Sequence, residues 1–172
     1  MTMEKVYYLL KKNNLDLAEQ LIDELLNLNK EHKLIESDKL ILLNYLAFIK
    51  YFKEDFESCC SLNKKVIEID SKNAYAHKGM GLALVKLNKI DEGILFLEKA
   101  IKIDPLFYDA YYDLTLIYYE NNMSDKTKEI IALIESKFFS GKDSEHQINS
   151  EEINAFNELK KLTINTPEYY NE

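Results

Sequence analysis

The sequence predicts an all-α fold in which helical hairpins stack side by side as a solenoid. Three observations support this prediction: the sequence repeats itself every 34 residues, its apolar residues recur at helical spacing, and only four Gly and two Pro occur among 172 residues. Sheet proteins of this length usually need more turn-forming residues, so their scarcity favours helices. The length suits one domain with a sizeable core.

The repeat appears when three 34-residue segments are aligned without gaps: Leu40–Asn73, Ala74–Phe107 and Tyr108–Gly141. Residues 66–70 (VIEID) then lie over residues 100–104 (AIKID). At another position the segments carry the small side chains of Cys59, Gly93 and Thr127. Helical hairpins of this kind are too amphipathic to be stable alone, so we expect stacked neighbours to bury each other's open faces.

Each segment is predicted to contain two helices joined by a short turn. In the middle segment the apolar residues recur three or four positions apart: Met80, Leu84 and Leu87, then Ile90, Ile94, Leu97 and Ile101. The Asn88-Lys89 pair separates the two runs as a turn. Asp104 is predicted to be the N-cap of the following helix, with Pro105 at its first position. Ser124 is predicted to cap the helix after that.

The chain is predicted to divide into five regions: 1–32, a degenerate N-terminal helical repeat; 33–73, a weaker repeat-like segment; 74–107, a repeat; 108–141, a further repeat; and 142–172, a loop, capping helix and tail. In the first region Asn13-Asn14 divides two helical stretches. Seven extra residues then precede Leu40, so the next helix is predicted to begin near Lys33. These boundaries place the best-matched repeats in the middle of the chain.

The C-terminal region is predicted to begin with a polar loop over Phe139–Asn149, which contains Gly141. Glu151–Leu162 follows as an amphipathic helix with apolar residues at helical spacing. A solenoid needs a terminal element with one polar face, and this helix meets that need. The tail Thr163–Glu172 is expected to be frayed or disordered.

The middle segment resembles a tetratricopeptide-repeat (TPR) motif over its whole length. The matching positions are His77, Met80-Gly81, Leu84, Gly93, Leu97, Ala100 and Pro105. The family has Trp where this segment has His77, whereas the third segment has the aromatic Tyr111 there and Tyr118 at the later large position. The resemblance covers roughly residues 38–139. It implies a right-handed α-solenoid of TPR helix-turn-helix repeats, in a family whose members bind other proteins.

The charge of the chain argues against nucleic-acid and membrane binding. The net charge is −8, and all cations are Lys because the sequence contains no Arg. Nucleic-acid recognition depends on cationic patches and favours Arg, and anionic membrane surfaces repel an acidic protein. No apolar run suits a signal peptide or a membrane span. Cys59 and Cys60 are adjacent and follow no disulfide spacing, so a reducing, cytoplasmic location is expected.

Signatures of catalysis, cofactor binding and metal binding are missing from the sequence, so we predict no enzyme activity. It contains no phosphate loop, dinucleotide fingerprint, HExxH or nucleophile elbow. His32, His77 and His146 are far apart and have no ligand-spaced Cys or carboxylate. His77 is expected to pack in the repeat or to be partly exposed. Cys59 is expected to be a buried thiol, with redox sensing as the alternative.

The resemblance implies a concave binding surface lined by the first helix of each repeat. The matching residues are Ile41, Asn44, Tyr45 and Phe48; then Tyr75, Lys78, Gly79 and Leu82; then Asp109, Tyr112, Asp113 and Leu116. Chaperone-binding TPR domains use Lys and Asn at such places to clamp a carboxylate. The clamp is not expected here, because Phe48 and Gly79 replace clamp residues and Asp109 and Asp113 would repel a carboxylate.

We therefore predict a protein-protein interaction scaffold or adaptor that binds a peptide or helix of a partner protein in an aromatic, apolar groove. The alternative is a structural TPR protein whose grooves or edges pair in a homo-oligomer. Tyr45, Tyr75 and Tyr112 have a further interpretation: they pack between repeats, or the capping helix or the tail residues 167–170 cover them.

Overall fold

The computed structural model describes residues 3–28, 35–139 and 149–164. These residues form nine α-helices and no β-strand, which agrees with the predicted all-α class. The helices are α1 Met3–Lys11, α2 Leu15–Leu28, α3 Glu36–Phe52, α4 Phe56–Ile69, α5 Ala74–Lys86, α6 Ile90–Ile103, α7 Tyr108–Glu120, α8 Ser124–Ile134 and α9 Ser150–Ile164, and a π-helical turn, Glu135–Phe139, extends α8.

Consecutive helices pack as hairpins: α1 with α2, α3 with α4, α5 with α6, and α7 with α8. The chain forms two compact units, Met1–Ile103 and Asp104–Glu172. In the first unit α2 also contacts α3, and α5 contacts both α3 and α4. In the second unit α9 packs against α7 and α8.

The turn inside each hairpin has the same backbone structure. Its key residue has a positive φ: Asn13 (56°), Glu54 (60°), Asn88 (61°) and Asn122 (56°). The N–H after each of these residues donates to the carbonyl five positions back, as Lys89 N does to Leu84 O at 2.9 Å. Such a bond closes a Schellman motif and satisfies a helix carbonyl that has no intrahelical partner.

The spacing of the positive-φ residues follows the repeat of the sequence. Glu54, Asn88 and Asn122 are 34 residues apart, whereas Asn13 precedes Glu54 by 41. The difference of seven equals the extra residues recognised in the sequence. The predicted turns at Asn88-Lys89 and Asn13-Asn14 are therefore confirmed.

The turn between hairpins differs from the prediction. Asp104 Oδ1 accepts the N–H of Leu106 at 3.0 Å, so this side chain closes a local turn. Helix α7 begins only at Tyr108, with Phe107 at the N-cap position. The prediction that Asp104 caps α7 with Pro105 at its first position was wrong, because an aspartate can close its own turn as well as cap a helix. Asp70 makes the same bond to Lys72 N in the first unit, also at 3.0 Å.

The prediction that Ser124 caps α8 was also wrong. Ser124 is the first residue of the helix, and Met123 occupies the N-cap position without a side-chain hydrogen bond. The carbonyl of Met123 accepts both the N–H and the Oγ1 of Thr127, at 2.9 and 3.0 Å.

Two glycines let α5 and α6 approach closely. A Cβ at Gly81 would lie 2.8 Å from Gly93 O, and a Cβ at Gly93 would lie 2.7 Å from Gly81 O and 2.5 Å from Val85 Cγ2. Real Cβ atoms do not approach a carbonyl oxygen so closely. The small residues Cys59 and Thr127, equivalent to Gly93, are buried in their own hairpins. The repeat therefore needs small side chains where its two helices cross.

Ion pairs contribute to the contact between α2 and α3. Glu19 of α2 binds Lys50 of α3 and Lys53, the C-cap residue of α3, each at 2.6 Å. Lys53 also pairs with Asp16. These lysines hold the pKa of Glu19 below its ordinary value. The predicted boundary at residues 32 and 33, and the predicted start near Lys33, lie outside the described residues.

Helix α9 caps the second unit through buried Phe156 and Leu159. Asn149 Oδ1 accepts hydrogen bonds from the N–H groups of Glu151 and Glu152. In turn, Glu152 Oε2 accepts the N–H of Asn149 at 2.8 Å. This reciprocal pairing is a capping box and explains where the helix starts.

The ends of the predicted C-terminal elements need correction. Phe139, assigned to a loop, ends the π-helical turn and stacks on Phe156 with 4.9 Å between ring centroids. Thr163, assigned to the tail, belongs to α9. The remaining loop residues 140–148 and the tail residues 165–172 lie outside the described residues.

The turn residue Glu54 generates a stability prediction. We expect Glu54→Asn to stabilise the fold by about 0.5–1 kcal/mol, because Asn tolerates the left-handed conformation better than Glu. Chemical denaturation followed by circular dichroism measures the change. Glu54→Gln is the control, since it removes the charge near the C-terminus of α3 and keeps the unfavourable φ. An equal gain from Gln would assign the effect to charge instead.

The helix crossing generates a second prediction. Gly93→Ala should destabilise the fold by about 2 kcal/mol, because backbone and Val85 must move to admit the methyl group. Gly79→Ala is the matched control, since the new Cβ meets only the side chain of Asn63, at 2.8 Å. Denaturation midpoints of the two variants test the difference. A loss at Gly79 as large as that at Gly93 would contradict the argument.

Candidate partner-binding surface

The outward side of α3 presents an uncharged, largely apolar surface, here called the α3 face: Ile41, Asn44, Tyr45, Phe48 and Phe52. Ile41 is 41% exposed, Phe48 47% and Phe52 57%. Asn44 and Tyr45 are half-buried. The spacing of three and four residues places these side chains on one side of the helix.

The sequence of α3 explains why this face points outward. Its opposite side is buried through Leu42, Leu43, Leu46, Ala47 and Ile49. Between Lys39 and Lys53 the only charged residue is Lys50, which is engaged by Glu19 of α2. The outward side between those lysines therefore carries no charge. The Phe48 and Phe52 rings form its most prominent feature, with their centroids 4.5 Å apart.

Helix α5 contacts α3 in the same unit and contributes the next set of predicted residues. Tyr75 is 68% exposed, whereas Lys78 and Leu82 are half-buried. Gly79 differs from the others, because a Cβ there would point at the Asn63 amide of α4. The first unit thus brings the predicted α3 and α5 residues onto neighbouring helices, with Gly79 turned toward α4.

The predicted residues of α7 belong to the second unit. Asp109 is exposed, and Tyr112, Asp113 and Leu116 are half-buried. Tyr112 stacks on the buried Tyr108 ring, with centroids 6.3 Å apart and planes at 28°. The contact to α9 is made by Tyr108, whose hydroxyl donates to Glu152 O at 3.2 Å. A groove continuous over all three repeats stays a prediction.

Phe52 and Tyr7 are exposed aromatic residues that the sequence interpretation did not include in the groove. Phe52 lies outside the groove positions that the TPR resemblance implies, and Lys86 occupies the same place in the next repeat. Tyr7 of α1, 58% exposed, stands six residues before the turn residue Asn13, as Phe48 stands six before Glu54. Alignment on the turns, rather than on a fixed period of 34, would have found Tyr7.

The residues considered for chemistry are packed in the interior. Cys59 is 1% exposed, and burial raises the pKa of its thiol to about 12, which disfavours the reactive thiolate. His77 is fully buried and stacks on Phe96, with centroids 5.8 Å apart. Both therefore occupy the core positions expected for them. His32 and His146 lie outside the described residues.

The described part of the chain contains neither a metal-binding cluster nor a membrane-spanning helix. Within it, no three His, Cys, Asp or Glu side chains are grouped so that they could hold a metal ion. No helix in residues 3–28, 35–139 or 149–164 combines the length and apolar character needed to cross a bilayer. The α3 face with Tyr75 of α5 is therefore the surface on which a functional proposal can rest.

Comparison with known proteins identifies the repeat. The family model for the tetratricopeptide repeat matches residues 96–129, from the middle of α6 into α8. No curated protein matches the sequence.

Solved structures show the same fold at low identity. TTC0263, a thermophilic TPR protein of Thermus thermophilus, is 14% identical with a TM-score of 0.71, over 92% of this chain and 79% of its own. MamA from Desulfovibrio magneticus RS-1 is 15% identical with a TM-score of 0.59, over 92% and 73%. The TPR2B domain of yeast Sti1, in a complex with pHsp70, is 17% identical with a TM-score of 0.56, over 72% and 97%.

At these identities the likeness establishes the fold alone, and it agrees with the repeat that the sequence and the turns define. The predicted fold class, an all-α solenoid of TPR repeats, is confirmed. Residues 96–129 match the tetratricopeptide-repeat family, and the chain has the fold of tetratricopeptide-repeat proteins.

Proposed function

We propose that this chain is a protein-protein interaction scaffold or adaptor that holds a peptide or helix of a partner protein against the α3 face and the outward side of α5. The observation that carries the proposal is the exposure of Ile41, Phe48, Phe52 and Tyr75. The largest apolar patch on a soluble monomer, typically a few hundred Å², is often functional. The TPR fold is generally an interaction fold without catalysis, and we propose no enzymatic activity for this chain.

The side chains of this surface are well suited to anchoring a partner. Aromatic residues supply a large contact area at a low cost in conformational entropy. Phe48 and Phe52 are each about half exposed, so each can still gain on the order of 1 kcal/mol when a partner covers it. The uncharged surroundings favour an apolar or aromatic segment over a charged one. A protein segment fits this chemistry better than a nucleic acid.

The Sti1 relative is a TPR domain in a complex with pHsp70. That complex supports partner binding as a use of the fold, but the carboxylate clamp is not part of our proposal. Asn44 stands where the clamp has Lys, and Phe48 and Gly79 stand where it has Asn. Asp109 and Asp113 stand at its other cationic places and would repel a carboxylate. We propose instead that apolar contacts dominate, in a reducing, cytoplasmic setting in which Cys59 and Cys60 are free thiols.

Self-association is the second candidate, because the same exposed residues could meet those of another copy. Ile41, Phe48, Phe52 and Tyr75 leave about 400 Å² exposed if a full side chain presents roughly 200 Å². A stable interface buries about 800 Å² per partner. The surface is thus about half of what a stable dimer needs, which favours a short segment of another protein.

Partner capture tests the proposed binding surface. Immobilised protein is incubated with lysate of the source cells, and captured proteins are quantified by mass spectrometry. We expect a specific partner whose recovery falls at least tenfold for Phe48→Ala/Tyr75→Ala. Leu95→Ala is the matched control, because Leu95 of α6 is 64% exposed and lies outside the predicted groove positions. Equal recovery by the double variant and the control would reject this surface.

The oligomeric state separates the two candidates. We expect sedimentation equilibrium at about 10 μM to give the monomer mass of 20.2 kDa, because the exposed apolar area is too small for a stable pair. A dimer mass that reverts to the monomer with Phe48→Ala/Phe52→Ala would instead establish self-association through the α3 face.

A further inference from the structure

His77 is a fully buried ring that ties the turn between two hairpins to helix α5. Its Nε2 lies 3.0 Å from Ser71 O, in the turn that connects α4 to α5. The ring stacks on Phe96 of α6, with centroids 5.8 Å apart and planes at 27°. One side chain therefore contacts the connecting turn and the second helix of the hairpin.

The two ring nitrogens differ in their surroundings. A carbonyl can only accept, so Nε2 carries the proton that is donated to Ser71 O in the neutral ring. Nδ1 is buried and has no hydrogen-bond partner among the described residues. Protonation of the ring would place a hydrogen on Nδ1, inside the packed core and without an acceptor. The folded arrangement accommodates the neutral ring and opposes the cation.

The equivalent link in the second unit cannot respond to protons in this way. Tyr111, 34 residues after His77, donates from its hydroxyl to Pro105 O at 3.1 Å. Pro105 is likewise 34 residues after Ser71. The same connection is thus made by a phenol in one unit and by an imidazole in the other. Only the imidazole has an ordinary pKa near physiological pH, about 6.5.

The charges near His77 do not provide a counter-ion at Nδ1. Asp70, at the end of α4, favours the protonated ring, whereas Lys99 on α6 disfavours it. Burial is the largest influence, and together these effects lower the pKa of His77 below its ordinary value. The unfolded or opened state therefore binds the proton more readily than the closed state.

We propose that His77 is a proton-sensitive link in the first unit. It holds the α4–α5 turn in place when the ring is neutral and releases that turn when acidification protonates the ring. Release frees the α4–α5 turn and loosens the first turn of α5, which begins at Ala74. Above pH 6.5 protonation of His77 costs the fold no stability, because the ring is neutral in both the folded and the unfolded state. As the pH falls through 6.5 toward the lower pKa of the folded protein, the loss of stability increases. This device acts whether or not a partner binds.

The test compares backbone hydrogen exchange of α5 at pH 7.5 and pH 5.5, expressed as protection factors that remove the intrinsic pH dependence. In the native sequence the protection of the first turn of α5 should fall on acidification, by at most about tenfold per pH unit for one linked proton. His77→Tyr should remove most of the change, because Tyr111 makes this bond in the second unit. His77→Phe, which keeps the stacking partner for Phe96, replaces His77→Tyr if the hydroxyl does not fit.

The chain contains three histidines, so a matched control exists. His32→Gln/His146→Gln should retain the full pH dependence, because it leaves His77 in place. An NMR titration of the His77 ring gives a second readout, with an expected pKa below the ordinary value. An ordinary or raised pKa would overturn the proposal. Unchanged protection of the native sequence at pH 5.5 would also overturn it. A loss of protection in both His77 variants equal to that of the native sequence would do the same.

Discussion

The left-handed residue in each hairpin turn is the constraint on which the rest of the structure depends. Four such residues reverse the chain after α1, α3, α5 and α7 with the same pair of backbone hydrogen bonds. Because the turn fixes where the first helix ends, it also fixes which side chains of that helix point outward. The α3 face, Tyr7 of α1 and the outward residues of α5 and α7 all keep the same distance from their turn residue. A change in the geometry of one turn would therefore alter which side chains its own helix presents.

Sequence and structure agree best where a residue type has one dominant structural use. Asn13 and Asn88 favour the left-handed conformation, so these two hairpin turns could be placed within a residue. Asp104 has two uses with the same signature, a helix cap and a self-closing turn, and only the packed structure decides between them. Phe139 was assigned to a loop because the polar residues after it dominate the local composition, whereas its ring is held by Phe156.

The candidate surface was predictable in outline and less so in detail. The repeat register identified Ile41, Phe48 and Tyr75, but exposure depends on what neighbouring helices cover, which a pattern does not contain. Phe52 has Lys86 as its counterpart, so the repeat gave no reason to expect an aromatic there. Gly79 shows the reverse kind of error. Its place in the helix suggested that it faces outward, whereas a Cβ added there would point at Asn63.

The ion pairs between α2 and α3 have a consequence for how the chain responds to ionic strength. The first hairpin contacts α3 both through the apolar core and through Glu19 with Lys50 and Lys53. Dissolved ions screen the charged part of this contact and leave the apolar part, since the Debye length falls from about 10 Å at 0.1 M to about 3 Å at 1 M. In repeat proteins the strength of the contact between neighbours sets how many of them unfold together. We therefore expect added salt to weaken the coupling of the α1–α2 hairpin to the rest of the first unit.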